Sequence, residues 1–437
     1  MDFYKISLTG LVVLCGALLV RQPTRRQELE RRGRARKQVS WDDGHPELQW
    51  YKAYGLAMAA DWVQGPYLFS LYRDEYSLTP GQVSSLFITD FLSTALSAYL
   101  VGALSDKYGR KLFCMIYCLL YTLSCLFTIV PITPLLLLGR VLGGISTTIL
   151  FTTFESWMVT NFREQKLAED GCDLSRTFAT NSVVNGLAAI LAGVMGQMLV
   201  EATGSKKAPF ILAVFLLWSS LQTIWARWSE NYGTEAPSKS EYPIERKSAL
   251  AIFRQPAILA LVFASTMFEG SMYLLVLYWV PTMTSVQKTI GDLPYGLIFS
   301  SFMAATMASA LSCNIILDKG RIKHAEILVG ILLVADLCFV ALATPRSEGM
   351  VFWLFCLFEA CVGMYWPCMG YLKGQLVDDA VRTRVYSIMR TPLNIFVVVS
   401  LLMARDSDNT HGVFSACSVM LTASFAAMWV ARQRNLV

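Results

Sequence analysis

Four ionisable side chains, Asp61, Arg140, Glu269 and Glu359, stand inside long apolar stretches of this chain. Deep in a bilayer such a group costs at least ~2.5 kcal/mol even on lenient insertion scales, so it faces a partner or water rather than lipid. Steps of three and four residues gather polar and small side chains with them on single helix faces. One face carries Arg140, Gly144, Thr147, Thr148, Phe151 and Glu155, and another Tyr54, Asp61, Gln64 and Tyr72. Shorter ones carry Thr177, Asn181 and Asn185; Glu269 and Tyr273; Glu359, Gly363 and Trp366; and Arg390 with Asn394. Such faces suit a water-filled cavity. A guanidinium stays charged when partly desolvated and its planar fork holds oxyanions, so Arg140 and Arg390 are candidate ligands for a small anion. Thr147, Asn181, Asn185 and Asn394 supply hydrogen bonds beside them. The carboxyls of Asp61, Glu269 and Glu359 repel an anion when ionised and admit it when protonated, which points to proton coupling. The alternative for each charge is a permanent ion pair, such as Arg140 with Asp61. Glu155 and Arg176 lie toward the basic ends of their helices, where snorkelling or a gate role competes with substrate contact.

The elements that must position these residues are membrane helices. Of the 437 residues 54% are hydrophobic and only 16% charged, and the mean hydropathy is +0.46, values outside the range of soluble domains. Crossing ~30 Å of hydrocarbon takes ~20 apolar residues as helix, whereas membrane strands give alternating segments of about ten. The stretches found here are of the first kind. An apolar segment at 5–20 is followed by twelve more, near 51–72, 82–104, 112–130, 134–158, 178–200, 209–227, 257–280, 295–317, 325–343, 350–372, 386–404 and 412–431. The expected organisation is an anchor helix with a basic loop (1–49), a six-helix half (50–227), a linker (228–256) and a second six-helix half (257–437). Lys and Arg concentrate at 21–40, 105–111, 161–176, 228–256, 318–323 and 373–384, which makes those loops cytoplasmic. The basic run behind 5–20 reads as stop-transfer, so that segment is expected to be an uncleaved anchor.

The halves repeat. Asp106 and Asp318 each open a basic loop after the second helix of their half, 212 positions apart, and Asp61 and Glu269 are offset by 208. Arg140 and Gly144 correspond to Glu359 and Gly363 at an offset of 219, and Arg176 with Asn181 to Arg390 with Asn394 at 214 for the arginines. Four pairs in one order at nearly constant offset indicate two parallel repeats.

The loop GALSDKYGRK (102–111) then gains meaning. It resembles the signature loop of the major facilitator superfamily through Gly102, Leu104, Asp106, Lys107, Gly109, Arg110 and Lys111. YGLAMAADWVQGPYLFSLY (54–72), LLGRVLGGISTTILFTTFESW (137–157), GLIFSSFMAA (296–305) and Trp366-Pro367 are similar to the eukaryotic molybdate-anion transporter family. The resemblance implies an all-α membrane protein with the major facilitator fold, two six-helix bundles plus the extra N-terminal helix. It also implies alternating access and molybdate as substrate, in symport if protons are coupled. Gly102, Asp106, Gly109, Arg110, Glu155 and Arg176 would form the gate, the glycines allowing close approach and Asp106 facing the start of the eleventh helix near Arg382 and Arg384. Residue physics alone reaches a small polar, anionic solute, with sulfate, organic anions and sugars as rivals and a non-transporting receptor or scaffold as another class.

The remaining motifs read plainly. Eleven cysteines lack metal spacing and read as reduced small hydrophobes, and three histidines (His45, His324, His411) form neither metal site nor triad. No phosphate loop and no nucleophile–base constellation is visible, so neither direct ATP drive nor an enzyme is expected. No cofactor is expected. The basic run at 21–37 fits anionic lipid rather than nucleic acid. A monomer in the plasma membrane is expected, an endomembrane being the alternative.

Overall fold

The computed structural model describes residues 2–22, 45–167, 174–233, 255–287, 292–318, 322–344, 347–376 and 410–434, together with Gly320 and parts of 392–400. Everything described is helix or short connection. The helices are α1 (Asp2–Arg21), α2 (Pro46–Ser70), α3 (Pro80–Tyr108), α4 (Arg110–Ile129), α5 (Thr133–Glu164), α6 (Leu174–Thr203), α7 (Ala208–Arg227), α8 (Pro256–Val286), α9 (Tyr295–Asp318), α10 (His324–Leu342), α11 (Glu348–Leu376) and α12 (Thr410–Gln433). Local chemistry sets many starts. Proline stands in the first turn of α2, α3, α5, α7 and α8, where its missing N–H costs nothing. Thr79 and Gln82 form a reciprocal capping box on α3. Ten of these helices are long and apolar enough to span a bilayer, and α3, bent by 50° between two segments, makes an eleventh. Most of the segment at 386–404 lies outside the described residues, although 392–393, 395–397 and 399–400 are helical.

The helices cluster in two compact units. In the first, α2–α7 join the opening residues of α9, Tyr295–Ser300. α5 packs on α3 and α4, α2 on α6 and α7, and α4 on α7. Small residues set the closest approach, as bilayer packing requires. A side-chain carbon on Gly144 of α5 would collide with the Asp90 carbonyl of α3, and one on Gly296 with the Gly193 carbonyl of α6. Beside that second contact Gln197 accepts from the Gly296 amide at 3.1 Å and from Tyr67 at 3.2 Å. Large apolar side chains, among them Trp225 at 73% exposed, point outward as lipid contacts.

In the other unit α10 packs on α11 and α12, and α8 on α11 and α12. α1 belongs here, although it precedes the other unit in sequence. Its Tyr4 donates to Glu348 at 2.5 Å, Phe3 and Tyr4 meet Phe352 edge-on, the Cys15 thiol reaches the Ala304 carbonyl and Gln22 the Leu311 carbonyl. The α9–α11 seam mirrors α3–α5, because a side-chain carbon on Gly363 would collide with the Thr306 carbonyl. Gly144→Val or Gly363→Val is therefore expected to lower the melting temperature of the detergent-solubilised protein by about 5 °C, given ~1–3 kcal/mol for overpacking. An unchanged melting temperature in both would show that the seams yield.

Candidate functional site

Each unit carries its own set of buried charges. In the unit built on α2–α7, Arg140 of α5 is only 5% exposed. One terminal nitrogen donates to Thr128 at 2.8 Å and reaches Ser124 at 3.5 Å, the other lies 3.8 Å from Asp90 of α3, and Nε is buried without a hydrogen-bond partner among the described residues. Gly143 makes room, since a side-chain carbon there would sit 3.0 Å from the Asp90 carboxylate. The pairing thus falls on Asp90 rather than Asp61. Asp61 on α2 instead accepts a hydrogen bond from Tyr121 of α4. The result is one guanidinium, two carboxyls and a tyrosine hydroxyl, a set that tolerates an anion only when its acids are neutralised or displaced.

On α6, Asn185 accepts from Trp62 at 2.8 Å, while the carbonyl oxygen of the buried Asn181 has no hydrogen-bond partner among the described residues. The Thr177 hydroxyl bonds Glu47. The stripe expected along the fourth core helix divides. Gly144 and Thr148 face α3, where Thr148 meets Ser97 at 2.8 Å, so they close a helix seam rather than line a cavity. Thr147 is half-buried and Glu155 exposed.

In the unit built on α8–α12, Glu269 of α8 is 6% exposed and accepts from Tyr365 of α11 at 2.6 Å, with Lys373 of α11 at 3.6 Å. Tyr365 is fixed by stacking on Phe268 at 4.3 Å between ring centres. Glu359, 5% exposed, accepts from Thr306 of α9 at 3.1 Å. Arg390 and Asn394 lie outside the described residues, as do Arg382, Arg384 and the side chains of Arg176 and Asp318.

The signature loop is held by contacts within its own unit. Asp106 accepts from Arg110 at 2.9 Å, and its carbonyl accepts the Gly233 amide at 2.9 Å. Arg110 also bonds Thr160 and the Ser156 carbonyl at the end of α5. Gly109 has φ +114°, and a side-chain carbon there would meet the Glu230 carboxylate at 2.5 Å, so both its conformation and its space demand glycine. That carboxylate caps α4, accepting from the amides of Lys111 at 2.8 Å and Leu112 at 3.1 Å, where the helix dipole favours negative charge. Among the described residues, nothing lies within 4 Å of a side-chain carbon built on Gly102. Glu230→Ala is expected to destabilise the protein by ~1 kcal/mol, the usual worth of a cap, measured as a lower melting temperature. Equal stability would remove the cap from the account.

Asp90, Tyr121, Tyr365, Lys373 and Glu230 were not singled out from sequence. Asp90 carried a signal, an acid in the apolar run LFITDFLSTAL; the tyrosines had none beyond their type.

The comparisons agree with this architecture. Residues 4–352 match the family model described as sugar transporters with 12 transmembrane helices. The molybdate-anion transporter of Xenopus tropicalis is 30% identical over 385 residues, covering 86% of this chain and 83% of its own length. The Danio rerio protein of the same name is 28% identical over 417 residues. This chain belongs to the molybdate-anion transporter family of the major facilitator superfamily. Solved structures share the fold. A peptide transporter in complex with sulfate superposes with a TM-score of 0.73 at 13% identity over 94% of this chain and 99% of that one. A D-xylose–proton symporter gives 0.66 at 13% identity over 88% and 97%. As a member of this family the chain is a multi-pass membrane transporter, not an enzyme, and among the described residues no cluster of His, Cys, Asp and Glu could hold a metal ion.

Proposed function

We propose that the chain carries molybdate across a membrane by alternating access, in symport with protons. The observation that supports this reading best is Arg140, a deeply buried guanidinium held by neutral hydroxyls, 3.8 Å from its acid and with a spare Nε–H. An arrangement with the acid at that distance leaves donors for a tetrahedral oxyanion. Glu269, paired with Lys373, carries the coupling proton together with Asp61 and Glu359. Asn181, Asn185 and Thr147 supply further contacts, with Arg390 and Asn394 completing the second repeat. Gly102, Asp106, Gly109, Arg110, Glu155 and Arg176 serve the gate, and the protein acts as a monomer in the plasma membrane.

Purified protein in liposomes is expected to take up molybdate saturably and faster under an inward proton gradient, with sulfate competing only in excess. No uptake by folded protein would reject molybdate. Uptake indifferent to the gradient would reject symport.

A further inference from the structure

We infer that Cys313 and Cys368 form a redox site, a thiol pair that a peroxide converts to a disulfide, pinning α11 to α9 and slowing transport. Their sulfurs lie 3.8 Å apart, both side chains fully buried. The pair ends the α9–α11 seam, after Thr306 with Glu359 and Ser309 with Gly363. Closing it brings the sulfurs roughly 1.8 Å nearer, to the ~2.0 Å of a disulfide.

The internal repeat isolates what is special here. In the other unit the same place in the α3–α5 seam holds Ser97 and Thr148, hydroxyls 2.8 Å apart. Ser97 precedes Cys313 by 216 positions and Thr148 precedes Cys368 by 220, beside 216 from Asp90 to Thr306 and 219 from Gly144 to Gly363. Two hydroxyls satisfy one another; two thiols make a weaker hydrogen bond. What the thiols add is two-electron chemistry.

The step balances. One thiol reduces hydrogen peroxide, becoming a sulfenic acid and releasing water; the second thiol attacks that sulfur, the S–S bond forms and a second water leaves. The charge pattern puts this end of the seam on the cytoplasmic side, where thiols are ordinarily kept reduced, so the bond forms under oxidative load and reverses afterwards.

Position explains the consequence. Pro367 immediately precedes Cys368 inside α11 and withholds the N–H that would bond the Gly363 carbonyl. Five residues beyond Cys368, Lys373 meets Glu269. A covalent tie at Cys368 fixes the segment that carries Lys373.

The test uses the full chain in liposomes, treated with hydrogen peroxide and then denatured, thiol-blocked, digested and mapped by mass spectrometry, beside molybdate uptake. A Cys313–Cys368 bridged peptide is expected, with uptake at least five-fold lower and restored by dithiothreitol. The C313S/C368T double variant, which copies the hydroxyl pair of the first repeat, is expected to keep uptake in peroxide. Oxidation without the bridged peptide overturns the site. A bridge with undiminished uptake overturns the clamp. The uptake arm rests on the proposed function, whereas the bridged peptide does not, so an untreated protein that takes up no molybdate fails that reading while the mapping still judges the thiol pair.

Discussion

Arg140→Ala is expected to abolish molybdate uptake, with a loss of at least ~100-fold, since about 2.7 kcal/mol of charge-assisted contact corresponds to that factor. The same change strands the half-buried Asp90, and leaving such a group without its partner costs ~1–3 kcal/mol of stability. Two companions separate the effects. Arg140→Lys keeps the charge and loses the fork, so about ten-fold less uptake is expected at near-normal melting temperature. The R140Q/D90N double variant is neutral as a pair and is expected to recover stability without recovering uptake. If the double variant transports normally, Arg140 is a helix clamp with Asp90 and Thr128, and the anion binds elsewhere.

Glu269→Gln is the second large effect. Glutamine mimics the protonated acid, so the ion pair with Lys373 is lost while Tyr365 retains an oxygen to donate to. Gradient-driven accumulation is expected to vanish, whereas molybdate exchange between loaded liposomes stays within about three-fold and loses its dependence on pH. Accumulation that survives in Glu269→Gln would move coupling to Glu359 or Asp61.

These experiments turn on residues of unequal legibility in the sequence. The repeat was visible because Gly144 and Gly363 keep both offset and neighbours, and the structure gives each the same collision with the facing helix. Arg140, Asp61, Glu269 and Glu359 were visible because charge in an apolar helix is expensive wherever it points. Their partners were not. Asp90 and Arg140 are fifty positions apart, Tyr365 and Glu269 ninety-six, and no local spacing records which distant side chains meet. Lys373 read as part of a basic loop, yet α11 continues to Leu376 and carries it back to Glu269. Glu230 stood in what reads as a linker, while residues 228–233 pack on the signature loop, with Trp228 stacked on Trp157 at 3.8 Å. Gly102 is legible only as part of the motif, since among the described residues nothing lies within 4 Å of a side-chain carbon there.

The docking of α1 bears on how the chain is made. Its Tyr4 waits for Glu348, 344 positions later, and its Cys15 for Ala304, 289 later. At ~5–20 residues per second a ribosome needs on the order of a minute to supply those partners. Throughout that interval the partners of α1 are not yet made, and its aromatic end is uncovered. Synthesis therefore passes through a stage in which the first helix made is among the last to be seated.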